Sequence, residues 1–220
     1  MERKIHRRST MSYPSDLKDA QWGKIEGFFD NGNRSLHSKR LLVDAVLYLT
    51  KTGCQWRQLP KDFPPWPTVQ SFFRRAKEKG IWETILKALV KQERKRYNRK
   101  PNPTYGVIDS QSVKTTGPSA DRRIDGGKKI KGRKRHIVTD TQGNLLYIKV
   151  HAANIHDTKM GGPIFEEVLK KYPTLKGACF NAGYRETTVE YVENVLAKKT
   201  NISSKIKNKF SRRETSGSLP

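Results

Sequence analysis

The residues of this chain that could do chemistry are few and far apart. Asp109 closes the run Tyr105-Gly106-Val107-Ile108 and precedes the polar Ser110-Gln111-Ser112. Tyr, Val and Ile suit a buried strand, and the polar run is expected to end it, so the carboxylate should stand at the strand's carboxyl end. Ligands of open α/β sheets bind there, although Asp also starts ordinary turns. Asn181 follows Lys176-Gly177-Ala178-Cys179-Phe180. A strand over that run, reached through a helix, can return parallel to the first and set residue 181 beside Asp109. His151 and His156 have no third partner at metal-ligand spacing and are read as structural.

Charge supplies the second signal. The 220 residues carry 45 Lys and Arg against 21 Asp and Glu, a net +24. Such an excess opposes compaction and calls for a polyanion, most simply nucleic acid. Between Asp121 and Arg135 stand eight cations (Arg122, Arg123, Lys128, Lys129, Lys131, Arg133, Lys134, Arg135) against two Asp. Gly126, Gly127 and Gly132 are expected to let this loop's backbone approach a phosphate. A solvated charge run is the blander reading. Lys128, Lys129, Lys131, Arg133, Lys134 and Arg135 are taken as candidate DNA contacts. No apolar run approaches the ~20 residues that span a bilayer, and the first eight residues lack the apolar centre of a signal peptide. A cytoplasmic, nucleoid-associated protein with no membrane partner is expected. Cys54 and Cys179 are too few for a disulfide framework or a zinc site.

The elements that must position these residues fall into two regions. Residues 1–10 show no apolar periodicity. A first helix is expected after Asp16 or Asp19, with Leu17, Trp22, Ile25, Phe28 and Phe29 inward and Asn31-Gly32-Asn33 ending it. A second follows Ser38 and closes at Gly53. Residues 54–68, aromatic and proline-rich, read as a packed corner. Pro67 suits the first turn of a third helix, which leaves Gln70, Arg74, Arg75 and Lys77 on or beside its outer face as candidate DNA contacts. A fourth runs from Ile81 towards Arg99. Short helices, a tight corner and a basic face describe a helix-turn-helix, and equally a small bundle with a solvated basic face. Lys100-Pro101-Asn102-Pro103 breaks the helix. This predicts an all-α domain over 11–100 and a second domain over 104–210.

In the second domain, 136–140 and 145–151 flank the turn Thr141-Gln142-Gly143-Asn144 and form a hairpin. With the Asp109 strand they make a three-stranded meander. Asp157 is expected to cap the next helix, and 187–199 to form another helix after the fourth strand. The order β-β-β-α-β-α is a ribonuclease H-like plan. The predicted fold class is therefore α/β: an N-terminal all-α, helix-turn-helix-like domain and an incomplete ribonuclease H-like α/β domain.

Residues 11 to about 210 resemble the short insertion-sequence transposases of the DDE class found in bacteria. The likeness rests on Gly53-Cys54-Gln55-Trp56-Arg57 with Asp62-Phe63-Pro64-Pro65-Trp66, on the basic stretch from Asp125 to His136, and on Asn181-Ala182-Gly183-Tyr184-Arg185. The resemblance implies that two Asp and one Glu hold divalent ions, usually Mg²⁺, for in-line phosphoryl transfer on DNA. Asp109 matches the first acid. Asn181 falls on the second, where the family carries Asp, and no third acid appears; Glu214 reads as a solvated tail residue. A truncated or frameshifted copy is expected. It should still bind double-stranded DNA at element ends, with a homodimer implied by the family, and cut poorly. The alternative is a non-catalytic binder that occludes element ends or mixes with intact transposase.

Overall fold

The computed structural model describes residues 13–29, 36–115 and 122–203. The chain divides into two compact units, Met1–Arg99 and Lys100–Pro220. The expected stop at Asn31-Gly32-Asn33, the first ten residues and Glu214 lie outside the described residues.

The described part of the first unit is helical. The first expected helix is shorter than its periodicity suggests: α1 (Asp19–Trp22) is one turn, followed by a 3-10 turn, Glu26–Phe28. Ile25 and Phe29 still reach the core, because the 3-10 turn returns the chain inward. Helix α2 (Lys39–Thr52) begins where Ser38 accepts a hydrogen bond from Leu41 N–H and ends at Gly53, whose φ of 67° is the left-handed stop glycine tolerates. After the corner, with its 3-10 turn Trp56–Gln58, come α3 (Trp66–Glu78) and α4 (Ile81–Arg96). Val69, Phe72 and Ala76 form the buried stripe of α3. Val69 and Phe72 share one core with Leu42, Val43, Ala45 and Val46 of α2, Phe29 and Ile85.

The second unit is a six-stranded mixed sheet with a helix against one face. Its strands are β1 (Tyr105–Lys114), β2 (Arg123–Asp125), β3 (Ile130–Asp140), β4 (Leu145–Ala152), β5 (Gly177–Phe180) and β6 (Lys199–Ile202). The order is β2-β3-β1-β5-β6, with β4 also pairing β3. β1, β3 and β4 are antiparallel, whereas β5 and β6 run parallel to β1. Helix α5 (Asp157–Lys171) makes the crossover to β5 and buries Ile164, Phe165 and Val168. Against it packs α6 (Thr187–Glu190); a Cβ on Gly161 or Gly162 would stand within 2.7 Å of Thr188 and Tyr184 or 2.4 Å of Tyr191.

Several expectations are corrected here. β1 does not stop at Asp109 but continues to Lys114, because β3 is long enough to pair residues 106–114. What ends at Asp109 is the parallel partner, whose last pair is Ile108 with Phe180. The basic loop is half strand: β2 and β3 pair within it. Gly132 serves the β1–β3 pairing rather than a phosphate, since a Cβ there would lie 1.9 Å from the Val113 carbonyl oxygen of β1. The helix expected over 187–199 is a single turn, a π-helical turn (Tyr191–Val195) and then β6.

Candidate functional site

Where β1 outruns β5, the end of β5 meets the middle of β1. Asn181, the first residue beyond β5, donates its side-chain amide to Asp109 Oδ1 at 2.5 Å. The same oxygen accepts Ser110 N–H at 2.8 Å. Asn181 Oδ1 accepts Gly183 N–H at 2.9 Å. The amide is therefore fixed at both ends and turns a donor, not a lone pair, towards the carboxylate. Asp109 is exposed, on the uncovered sheet face with Gln111 and Arg135, and Arg135 Nε donates to Gln111 Oε1 at 3.0 Å.

Beneath this exposed acid lies a buried polar layer that sequence reasoning missed. The inward residues of β1, Ser110 and Ser112, donate to Asp157 Oδ2 at 2.7 Å and Asp125 Oδ2 at 2.5 Å. Lys134, 4% exposed, sits between those two acids, its Nζ 3.0 Å from Asp157, 3.4 Å from Asp125 and 3.0 Å from the Ile155 carbonyl. Lys134 is thus turned away from any bound phosphate, which corrects its place among the candidate DNA contacts. Asp157 is not the helix cap either; His156 is, and Asp157 is drawn into the layer. Burial pushes the Asp125 carboxyl up, but the Ser112 hydroxyl, the Lys128 N–H and the Lys134 charge outweigh it and hold it at about 2. Asp157 follows the same pattern: burial raises it, and Ser110 and Lys134 bring it below the usual carboxylate range.

Next to this layer the histidines form a proton-ordered chain. His151 Nδ1 lies 2.7 Å from the Ala152 carbonyl, which only accepts, so Nδ1 carries the proton. With a neutral His151 ring, Nε2 accepts from His136 Nε2, 2.8 Å away, and His136 Nδ1 accepts from the Tyr184 hydroxyl at 2.5 Å. Burial, and then the neighbouring His151, lower His136 to about 4. Burial and the nearby Asp157 hold the Tyr184 phenol well above its ordinary range. His136 stood in the sequence as part of the basic stretch. Only its inward register, opposite Ser110, reveals its role.

The other candidate contacts are at the surface. Lys128, Lys129, Lys131 and Arg135 are exposed and Arg133 is half-buried in the second unit. Gln70, Arg74, Arg75 and Lys77 are exposed on α3 in the first.

A pair of divalent ions bound for phosphoryl transfer needs several clustered carboxylates. At this site Asp109 faces an amide donor, and Asp157 and Asp125 are bridged by the single ammonium of Lys134, which cancels one of their two negative charges. Among the described residues no group of three or more His, Cys, Asp or Glu stands close enough to hold a metal ion. The donor set here does not fit such ions.

Residues 100–216 match the family described as a transposase DDE domain, and residues 17–86 match the putative transposase of the IS4/5 family. The chain belongs to the transposase DDE domain family. It is 29% identical over 117 residues to the uncharacterized protein y4sN of Sinorhizobium fredii, covering 51% of this chain and 87% of that one. Solved structures with some likeness include a piggyBac transposase synaptic complex with hairpin DNA, at TM-score 0.37 and 14% identity over 66% of this chain and 31% of that chain. The Mos1 strand transfer complex gives TM-score 0.31 and 11% identity over 79% and 60%. The chain thus spans less than two thirds of either structural neighbour. No helix among the described residues is long and apolar enough to cross a membrane.

Proposed function

We propose that the chain is an insertion-sequence DNA transposase by descent that holds double-stranded DNA and is impaired in cutting it. The observation that carries this reading is the Asn181 amide bonded to Asp109 where the family carries a second acid. An amide offers no negative charge to a bridging metal, so Mg²⁺ is not retained tightly and strand cleavage fails. The strand order around β1, antiparallel on one side and parallel on the other, supports a ribonuclease H-like core. A tight corner followed by α3, with Gln70, Arg74, Arg75 and Lys77 outward, supports a helix-turn-helix that reads a major groove. Lys128, Lys129, Lys131, Arg133 and Arg135 hold phosphates. The protein acts as a homodimer near the nucleoid, occluding element ends or mixing with intact transposase.

Five phosphate contacts contribute about −4.5 to the slope of log affinity against log salt, from about −0.9 each. Replacing Lys128, Lys129 and Lys131 with Gln flattens the slope by about 2.7. A fluorescent duplex titrated with the purified chain over a salt series measures both. An unchanged slope removes the basic hairpin from the DNA interface, and Mg²⁺-dependent strand cleavage by the chain removes the impairment.

A further inference from the structure

The first unit carries a cleft of about 640 Å³ lined by Trp56, Gln70, Ser71, Phe73, Arg74 and Lys77. That volume falls among small-ligand sites, which run from about 300 to 1,000 Å³. Gln70, Arg74 and Lys77 recur at helical spacing, so one stripe of α3 supplies an amide and two cations. Two aromatic rings share the lining, Phe73 in the same stripe of α3 and Trp56 beside it. Trp56 stands on the 3-10 turn before α3, and its ring centroid is 6.0 Å from that of Phe73, tilted by 47°. The rings touch each other, so a guest lies on them rather than between them. Among the described residues Arg74 has a loose surface partner, Glu78 at 4.0 Å, with both side chains more than half exposed. Such a pair contributes little and yields readily to a better anion.

From this arrangement we infer that the cleft binds an unpaired nucleotide of a DNA strand. The base stacks on the Trp56 and Phe73 rings, Gln70 and Ser71 hydrogen-bond its edge, and Arg74 and Lys77 take the flanking phosphates. Paired duplex cannot use an aromatic wall, because its base faces are already stacked; a base must leave the helix, or lack a partner, to reach one. Duplex contact by α3 explains the cations; Trp56 and Phe73 are half-buried and pack against the core of the first unit, and a stacked base is what would use the parts of the rings that line the cleft. The inference rests on the DNA-binding reading above and adds to it the strand state that the first unit prefers.

The test uses the full chain and two short DNA duplexes of one sequence, one fully paired and one with a single unpaired 2-aminopurine at its centre. Affinity by fluorescence anisotropy is expected to favour the unpaired duplex by roughly tenfold, within what stacking one base contributes. The 2-aminopurine emission is expected to drop on binding as the base stacks. Trp56→Leu, which keeps an apolar side chain but removes the ring, should bring the affinity ratio to about one, and Trp56→Phe should retain most of it. Equal affinity for both duplexes, or a preference that survives Trp56→Leu, overturns the cleft assignment alone. Binding to neither duplex overturns the DNA-binding reading with it. Should Trp56→Leu fail to fold, the wild-type emission decides: no change on binding refutes stacking.

Discussion

Asn181→Asp places an acid where the proposed reading puts the family's second one, and the structure sets what that does to stability. It replaces a donor 2.5 Å from Asp109 Oδ1 with a second carboxylate. Even relaxed to about 4 Å, two unit charges repel by ~1 kcal/mol in water and ~4 kcal/mol at an effective dielectric constant of 20. Asp109 is exposed, so the lower end applies. A hydrogen bond to a charged group is lost as well, about 1.5 kcal/mol before discounting for exposure. The sum is about 2 kcal/mol, or a fall in Tm of roughly 4–8 °C for a chain of this length. The pH dependence has a definite sign. In the variant one carboxyl of the pair has a raised folded-state pKa, so the folded state binds the extra proton and the penalty vanishes as pH falls towards about 4. Thermal unfolding in EDTA at neutral and acid pH measures both effects. Millimolar Mg²⁺ should raise the variant's Tm more than the wild type's, because two carboxylates then share a cation, while cleavage stays absent. A variant as stable as wild type at neutral pH in EDTA refutes this account of the amide, and so does a deficit undiminished at acid pH.

Two further outcomes follow from the buried layer. Lys134→Met should destabilise by about 3–5 kcal/mol, because it strands Asp125 and Asp157 without their cation; urea denaturation measures it. Near-wild-type stability with a flattened DNA salt slope would return Lys134 to the phosphate interface. His136, buried neutral at about 4, binds fewer protons folded than unfolded. Its stabilisation is therefore complete above the unfolded pKa near 6.5 and declines as pH falls from there towards 4, by on the order of 3 kcal/mol. His136→Gln should remove that slope in a urea-midpoint series against pH, and an unaltered slope in the variant would assign the effect elsewhere.

The sequence showed the strand that carries Asp109, the parallel return that brings residue 181 to it, and the caps of α2. Each is a local pattern: apolar runs, a Ser before a helical stripe, a Gly after it. The errors came where a polar residue does an apolar residue's job. Ser110 and Ser112 looked like the end of β1 because they are polar, yet they point inward and satisfy Asp157 and Asp125. Lys134 and His136 looked like part of a solvent-facing basic run, although alternation along β3 turns both inward, leaving Lys131 and Arg135 outside. Had period-two alternation been applied through the charged stretch, it would have separated the two sets. Periodicity also overstated α1 and the element after β5, where it could not register a switch from helix to 3-10 turn or strand.

The buried layer also explains why Asp109 stands where it does. A strand held only by apolar contacts resists a one-residue slip, which would expose its inner face, but tolerates a two-residue slip better, since the same faces stay inward. In β1 a two-residue slip would take Ser110 from Asp157 and Ser112 from Asp125. It would also move Gly132 from beneath the Val113 carbonyl, where no side chain fits. The polar pairs and the glycine thus admit one register. That register sets Asp109 one residue beyond the last β5 pair, within reach of Asn181. The inner network is therefore what positions the outer acid, and changes at Ser110 or Ser112 should be felt at Asp109 before they are felt in the hydrophobic core.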